Sequence, residues 1–315
     1  MNKKKHIFIF REIKQNSTKQ NTQTQKIMEN RCVSVDDEDE VRTQILLNME
    51  RINNSTQQCN HSIFTANLYG KDKVIAKRYE HTDDKGVSIN AIREISVLLN
   101  LHHANIVDYY GVVMTLSNTY LVMEPMEMTL SQKISIEKRG WRKKEPEYKR
   151  YLFQVCEALH YCHSMGVMHR DIKPSNIFIR GENAKLGDFD SSRFFNLPLR
   201  KYSTDCTTIA YKAPEACSKE GLKITPAVDM WAIGCVFYYI VHEHDYFTYK
   251  DFTERETYLI CAIENSQETK NHLRKYFELS EAGIEFMYGC MQLDVSKRIS
   301  AVQALKHDYF CSLFQ

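Results

Sequence analysis

The run His169-Arg170-Asp171-Ile172-Lys173-Pro174-Ser175-Asn176 constrains this chain more than any other stretch. It sets a carboxylate, an amine and a carboxamide in the order that transfer of a phosphoryl group to a hydroxyl requires. Such a reaction needs a group to orient and deprotonate the hydroxyl and cations on the developing phosphate charge. It also needs a rigid frame that holds both in line. Two shorter motifs follow, Asp188-Phe189 and then Ala213-Pro214-Glu215.

With 315 residues the chain can build one large or two small lobes around substantial cores. Its 42 basic and 40 acidic residues leave a net charge of +2, so no global field demands nucleic acid or an anionic membrane, and neither partner is expected. The ten cysteines are scattered and form no C-x-x-C pair. Reduced thiols of an intracellular protein, in nucleus or cytoplasm, are therefore expected rather than disulfides or zinc ligands. His6 to Phe10 is too short for a signal peptide or a membrane span.

Residues 1–43 differ from the rest. Lys14 to Gln25 is nearly all Gln, Asn, Ser, Thr and Lys, and Asp36 to Glu40 is an acidic block. Neither can bury much, so a disordered leader is expected, followed by a folded region over 44–315. Short strands are predicted at Ile63 to Ala66 and Val74 to Lys77 around a turn at Gly70 to Lys73, and at Ile106 to Val113 and Tyr120 to Glu124. Ile89, Ile92, Ile95 and Leu98-Leu99 recur at helical spacing, which predicts an amphipathic helix over 88–101. A small sheet-rich lobe, 44–126, thus precedes a helical one, 127–315. Helices are predicted from Tyr148 to Met165, from Val228 to Val241 (nearly all apolar except Asp229), and over about 254–264, 280–292 and 299–307.

These motifs, in this order and with these gaps, resemble the catalytic half of a eukaryotic protein kinase. The resemblance implies an α+β, bilobal fold with a small β-rich first lobe and a larger helical second lobe. It implies ATP and Mg2+ as nucleotide and metal, and a protein substrate. By the same resemblance Asp171 is the base and Lys173 touches the transferring phosphate, as in serine/threonine-specific kinases. Asn176 and Asp188 ligate magnesium, while Lys77 holds the first phosphates and Glu94 pairs with Lys77. The adenine neighbourhood comprises Ile63, Ile75, Met123 as gatekeeper, the backbone of Glu124 and Met126, and Phe178. Glu215 is matched with a buried Arg298, Asp229 with the backbone of the catalytic loop, and Leu98 with a column that includes Phe189 and His169.

Gly86 to Ile95 is similar to the cyclin-facing helix of cyclin-dependent kinases, whose signature reads P-S-T-A-I-R-E; Ala91 to Glu94 match it outright. The resemblance runs from about Ile63 to Phe314. It places Ser203 at the activating phosphosite, with Thr204 as competitor, and Arg93, Arg170 and Arg193 as the arginines that clamp the phosphate. Thr208 is placed beside Asp171 or Lys173. A cyclin-like subunit and an activating kinase are the implied partners.

The departures are local. No glycine precedes Gly70, so Thr56 to His61 stands where the family has G-x-G-x-x-G, with Cys59 and Asn60 at its inhibitory Thr-Tyr pair. Ile75 replaces a small alanine, Phe178 a leucine, and Asp190 the glycine of D-F-G. Asp190 adds negative charge near metal and phosphates, which disfavours binding. Ala210 and Lys212 replace the family's tryptophan and arginine near the substrate loop, which weakens any preference for proline after the acceptor. Beyond an active serine/threonine kinase, two readings stand open. One is a pseudokinase scaffold. The other is a cyclin-independent kinase that activates cyclin-dependent kinases, a group that also lacks the glycine loop and shares Tyr211-Lys212-Ala213-Pro214-Glu215.

Overall fold

The computed structural model describes residues 8–10, 46–52, 61–68, 72–81, 86–115, 117–137, 141–195, 209–217, 224–244, 274 and 279–314. The chain divides into two compact units: residues 1–100 with 107–125, and residues 101–106 with 126–315.

Among the described residues the first unit is a six-stranded sheet with one helix. Strands β1 (Phe8–Phe10), β2 (Leu46–Arg51), β3 (His61–Leu68), β4 (Asp72–Glu80), β5 (Tyr109–Met114) and β6 (Asn118–Met123) run in the order β1-β5-β6-β4-β3-β2. Every paired neighbour is antiparallel. Alternation along β4 decides what each face holds. Val74 and Ala76 point into an apolar cluster with Ala66, Val113, Tyr120 and Val122. Ile75, Lys77 and Tyr79 take the opposite face. Helix α1 (Ile89–Leu98) is capped by Ser88, whose hydroxyl accepts from the Asn90 N–H at 3.3 Å. It buries Ala91, Glu94, Val97 and Leu98.

Two sequence expectations are corrected here. Phe8–Phe10, inside the expected leader, pairs with Gly111 to Val113 of β5; the rest of the leader through residue 45 lies outside the described residues. The strand expected from Ile106 begins at Tyr109, because Ile106 instead makes a parallel bridge to Leu186 in the second unit.

The second unit is mainly helical. After β7 (Met128–Thr129) come α2 (Leu130–Glu137) and α3 (Trp141–Ser164). Lys144 leaves helical geometry in α3, with φ −120°, so Pro146 falls in the first turn of the straight part, where its missing N–H costs little. Strands β8 (Val167–Met168), β9 (Ile177–Arg180), β10 (Asn183–Leu186) and β11 (Arg193–Phe194) form two small sheets, β10-β9-β7 and β11-β8.

Helices α4 (Pro214–Cys217), α5 (Ala227–His242), α6 (Glu281–Cys290) and α7 (Ala301–Leu305) complete the described part. As its apolar sequence implies, α5 is buried over most of its length. Gly234 lets α6 approach α5 closely, since an added Cβ would collide with the Met291 side chain. The helix expected near 254–264 lies outside the described residues. No described helix is long and apolar enough to cross a membrane.

Candidate active site

In the first unit the expected nucleotide residues share one sheet face. Register places Ile63 opposite Lys77 across β3 and β4, and Ile75 opposite Met123 across β4 and β6. Cross-strand partners lie on the same side, and Ile75 and Lys77 are two residues apart, so Ile63, Ile75, Lys77 and Met123 all face one way. Helix α1 supplies Glu94, whose Oε2 accepts from Lys77 Nζ at 2.9 Å, with the two side chains 0 % and 3 % exposed. A buried ion pair persists only where further hydrogen bonds support it. Tyr79 provides one, its hydroxyl donating to the same Glu94 oxygen. The sequence reading missed Tyr79, although a residue two positions after Lys77 on a strand must lie beside it.

Glu124 is committed at both ends to Asp108. Its N–H donates to the Asp108 carbonyl at 3.0 Å, and its carboxylate accepts the Asp108 N–H at 2.7 Å. Met126 and Phe178, in the second unit, are each half-buried.

The second unit fixes the loop around Asp171 from below. Asp229, at the start of α5, is buried and accepts three donors. The Arg170 N–H comes at 2.8 Å, the His169 N–H at 2.9 Å and His163 Nε2 at 2.9 Å. Burial alone would raise its pKa, but the hydrogen bonds from His163 and the Arg170 N–H outweigh that and hold it below the ordinary value. This anchorage lets Arg170 keep φ 71°, a left-handed conformation costly for a side-chain-bearing residue. His169 Nε2 lies 3.0 Å from the Gly187 carbonyl and its Nδ1 accepts the Asp171 N–H at 3.3 Å, which assigns the proton to Nε2. Its ring meets Phe189 edge-on at 4.7 Å. The role of Asp229 was legible in the sequence; that of His163 was not.

Asp171 itself is 7 % exposed. Its Oδ2 accepts from Lys173 Nζ at 2.7 Å and from Asn176 Nδ2 at 3.0 Å, while the same amide nitrogen donates to the Asp171 carbonyl at 2.8 Å. These bonds fix the Asn176 amide, with Nδ2 toward Asp171 and Oδ1 turned away. An oxygen donor is thereby presented rather than an N–H, which fits a hard cation, and Asp188 is the carboxylate expected with it. Asp188 has φ 61°. No group of three His, Cys, Asp or Glu among the described residues is arranged to hold a metal on protein ligands alone. Magnesium, which commonly takes one or two carboxylates together with substrate phosphates, does not need one.

Beside Asp171 a small recess is lined by Lys212, Tyr211, Ala213, Ile224 and Val228 among others. Asp190 accepts a hydrogen bond from the Ser191 hydroxyl at 3.1 Å. Glu215 and Arg298 meet as expected, in a paired fork at 2.6 and 3.0 Å. Arg298 also donates to the carbonyls of Ala227 and Gln292. Of the expected phosphate clamp, Arg93 donates to Asn90 Oδ1 at 3.0 Å, and Arg193 to the carbonyls of Ser191 and Ser192. Ser203, Thr204, Thr208 and the stretch Thr56 to Asn60 lie outside the described residues.

A protein-family model described as the protein kinase domain matches residues 63–310, more than three quarters of the chain. The chain belongs to the protein kinase family. As a kinase domain it has the bilobal α+β architecture of that family, with a sheet-built N-terminal unit and a helical C-terminal unit, and its class is that of a phosphotransferase.

Proposed function

We propose that this kinase transfers the γ-phosphoryl group of ATP to serine or threonine hydroxyls of a protein substrate, with Asp171 as general base. The observation that carries the reading is the Asp171 carboxylate, locked by Lys173 and Asn176 on one oxygen in a loop that Asp229 anchors from beneath. A base so fixed needs no reorganisation when a hydroxyl arrives. Asp171 takes the hydroxyl proton, and the Lys173 ammonium beside it meets the transferring phosphate. Lys77, held by Glu94, positions the preceding phosphates. Asn176 and Asp188 would hold Mg2+, which supplies positive charge against the phosphate oxygens. Ile63, Ile75, Met123 and Phe178 would contact adenine. The Glu124 N–H is spent on Asp108, so Glu124 would offer its carbonyl and Met126 its N–H.

Kinship with cyclin-dependent kinases is supported by α1, whose Ile89 and Ile92 are 71 % and 55 % exposed and give an apolar face to a cyclin-like subunit. Ser203 is the proposed site of an activating kinase, with Arg93, Arg170 and Arg193 as its phosphate partners. An intracellular place, in nucleus or cytoplasm, fits the buried, reduced thiols of Cys156, Cys162, Cys217, Cys235 and Cys290. The second reading, a scaffold that binds nucleotide weakly, is favoured by Asp190, a half-buried carboxylate where the family has glycine.

The test is transfer from Mg-ATP to peptide pools carrying serine, threonine or tyrosine as sole acceptor. Label on serine and threonine alone supports the assignment; label on tyrosine overturns it. Co-purification from native extract separates the cyclin-dependent form from a cyclin-independent one: full activity in a monomer excludes the subunit.

A further inference from the structure

Tyr79 has no part in the chemistry assigned above, yet it is built into the centre of it. Alternation on β4 brings it to the same face as Lys77. Its hydroxyl donates to Glu94 Oε2, the oxygen that also accepts Lys77 Nζ at 2.9 Å. Lys77, Tyr79 and Glu94 are 3 %, 2 % and 0 % exposed. The ammonium lies 5.3 Å from the centroid of the Tyr79 ring, within cation–π reach. Burial first, and the Glu94 charge second, push the phenol well above its ordinary pKa, so it stays a donor at neutral pH. Strand β4 therefore reaches Glu94 with two donors, one charged and one neutral. Hydrogen bonds to a carboxylate are among the stronger ones, and in a water-free site they are stronger still.

We propose that Tyr79 is a positioning residue for phosphoryl transfer: its hydroxyl holds Glu94, and with it α1, in the orientation that pairs with Lys77, without need of a subunit bound to α1. The inference rests on the reading of Lys77 and Glu94 as the pair that positions the nucleotide phosphates. A tyrosine suits the task because its rigid ring fixes where the hydroxyl can be. Phenylalanine at the same place would keep the ring near Lys77 and remove the hydroxyl that bonds Glu94.

The experiment uses the full chain alone, as wild type, Tyr79→Phe, Glu94→Gln and the double variant. In Tyr79→Phe, kcat/KM for Mg-ATP is expected to fall about tenfold. Amide hydrogen exchange over residues 89–98 is expected to quicken by a similar factor. In the Glu94→Gln background the same change should cost less than about twofold, since the hydroxyl acts through the carboxylate. Unchanged exchange over 89–98 in Tyr79→Phe overturns the proposal, and so does an equal cost in both backgrounds, which a merely structural tyrosine would show. If the wild-type chain alone transfers no phosphate, either a subunit is required or the enzyme reading fails, and exchange over 89–98 still decides the role of Tyr79.

Discussion

Three carboxylates near the catalytic loop have been given different work by their surroundings. Asp229 is sealed and occupied by three donors, so its work is to hold the His169 and Arg170 backbone and the His163 ring. Asp171 keeps a locked orientation beside an ammonium and a carboxamide, which suits its proposed role as base for an incoming hydroxyl. Asp190 stands where the resemblance to D-F-G expects glycine, and its backbone makes no use of glycine's freedom. The only described non-glycine residues with positive φ are Arg170, Asp188 and Glu243. The cost of Asp190 is thus its charge and not its backbone. A like charge close to phosphates costs on the order of 1 kcal/mol when solvent screens it. Asp190→Gly should accordingly tighten Mg-ATP about fivefold by titration calorimetry and leave the melting temperature within about 2 °C. Weaker binding in the variant would show that Asp190 serves the site, as a ligand or through Ser191.

At the scale of elements, two polar clusters in the helical unit carry distinct consequences. Arg298 is wholly buried against Glu215, with its ring-facing side about 5 Å from Trp231. Removing the carboxylate strands the guanidinium, which costs about 3–5 kcal/mol for a buried pair. Glu215→Ala should lower Tm by about 10 °C in a thermal melt.

The second cluster ties α2 to α3: Glu137 accepts from Lys133 at 2.9 Å, Lys144 at 2.6 Å and Tyr148 at 2.6 Å. Burial works to raise its pKa, but the bonds from Lys144, Tyr148 and Lys133 outweigh it and bring it from 4.5 down to about 2. A carboxyl depressed on folding stabilises fully above its unfolded value, and that stability drains away as pH falls toward the folded value. Glu137→Gln should therefore be less stable than wild type above pH 4.5, and the two should converge as pH drops toward about 2. A constant gap across that range in denaturant melts would contradict the assignment. Neither cluster's partners are equally legible in sequence. The Glu215–Arg298 pair is carried by a motif, whereas the Glu137 contacts depend on how the kink at Lys144 turns one helix against another.

Over the whole molecule, what could be read in advance was what short-range rules or a motif determine. Alternation gave β3, β4 and β6, helical spacing gave α1, and an unbroken apolar run gave α5. The misses are contacts between distant segments. Phe8–Phe10 extends the sheet beside β5 although its polar neighbours read as leader, because a strand edge can recruit any short apolar run. Ile106 leaves its expected strand for Leu186, and Asn105 follows it, exchanging bonds with Ala184 and Leu186. Tyr79 was visible by period but had no motif to mark it.

Everything proposed for the chemistry depends on Asp171 being a working base in a nucleotide-competent kinase. The most direct measurement is phosphoryl transfer from Mg-ATP by the purified chain and by Asp171→Asn, with nucleotide binding followed in the same samples. Wild type should transfer phosphate, kcat should fall about 10²–10⁴-fold in the variant, and both should bind Mg-ATP similarly. Equal rates in the two proteins, or no nucleotide binding by either at saturating concentration, would contradict this.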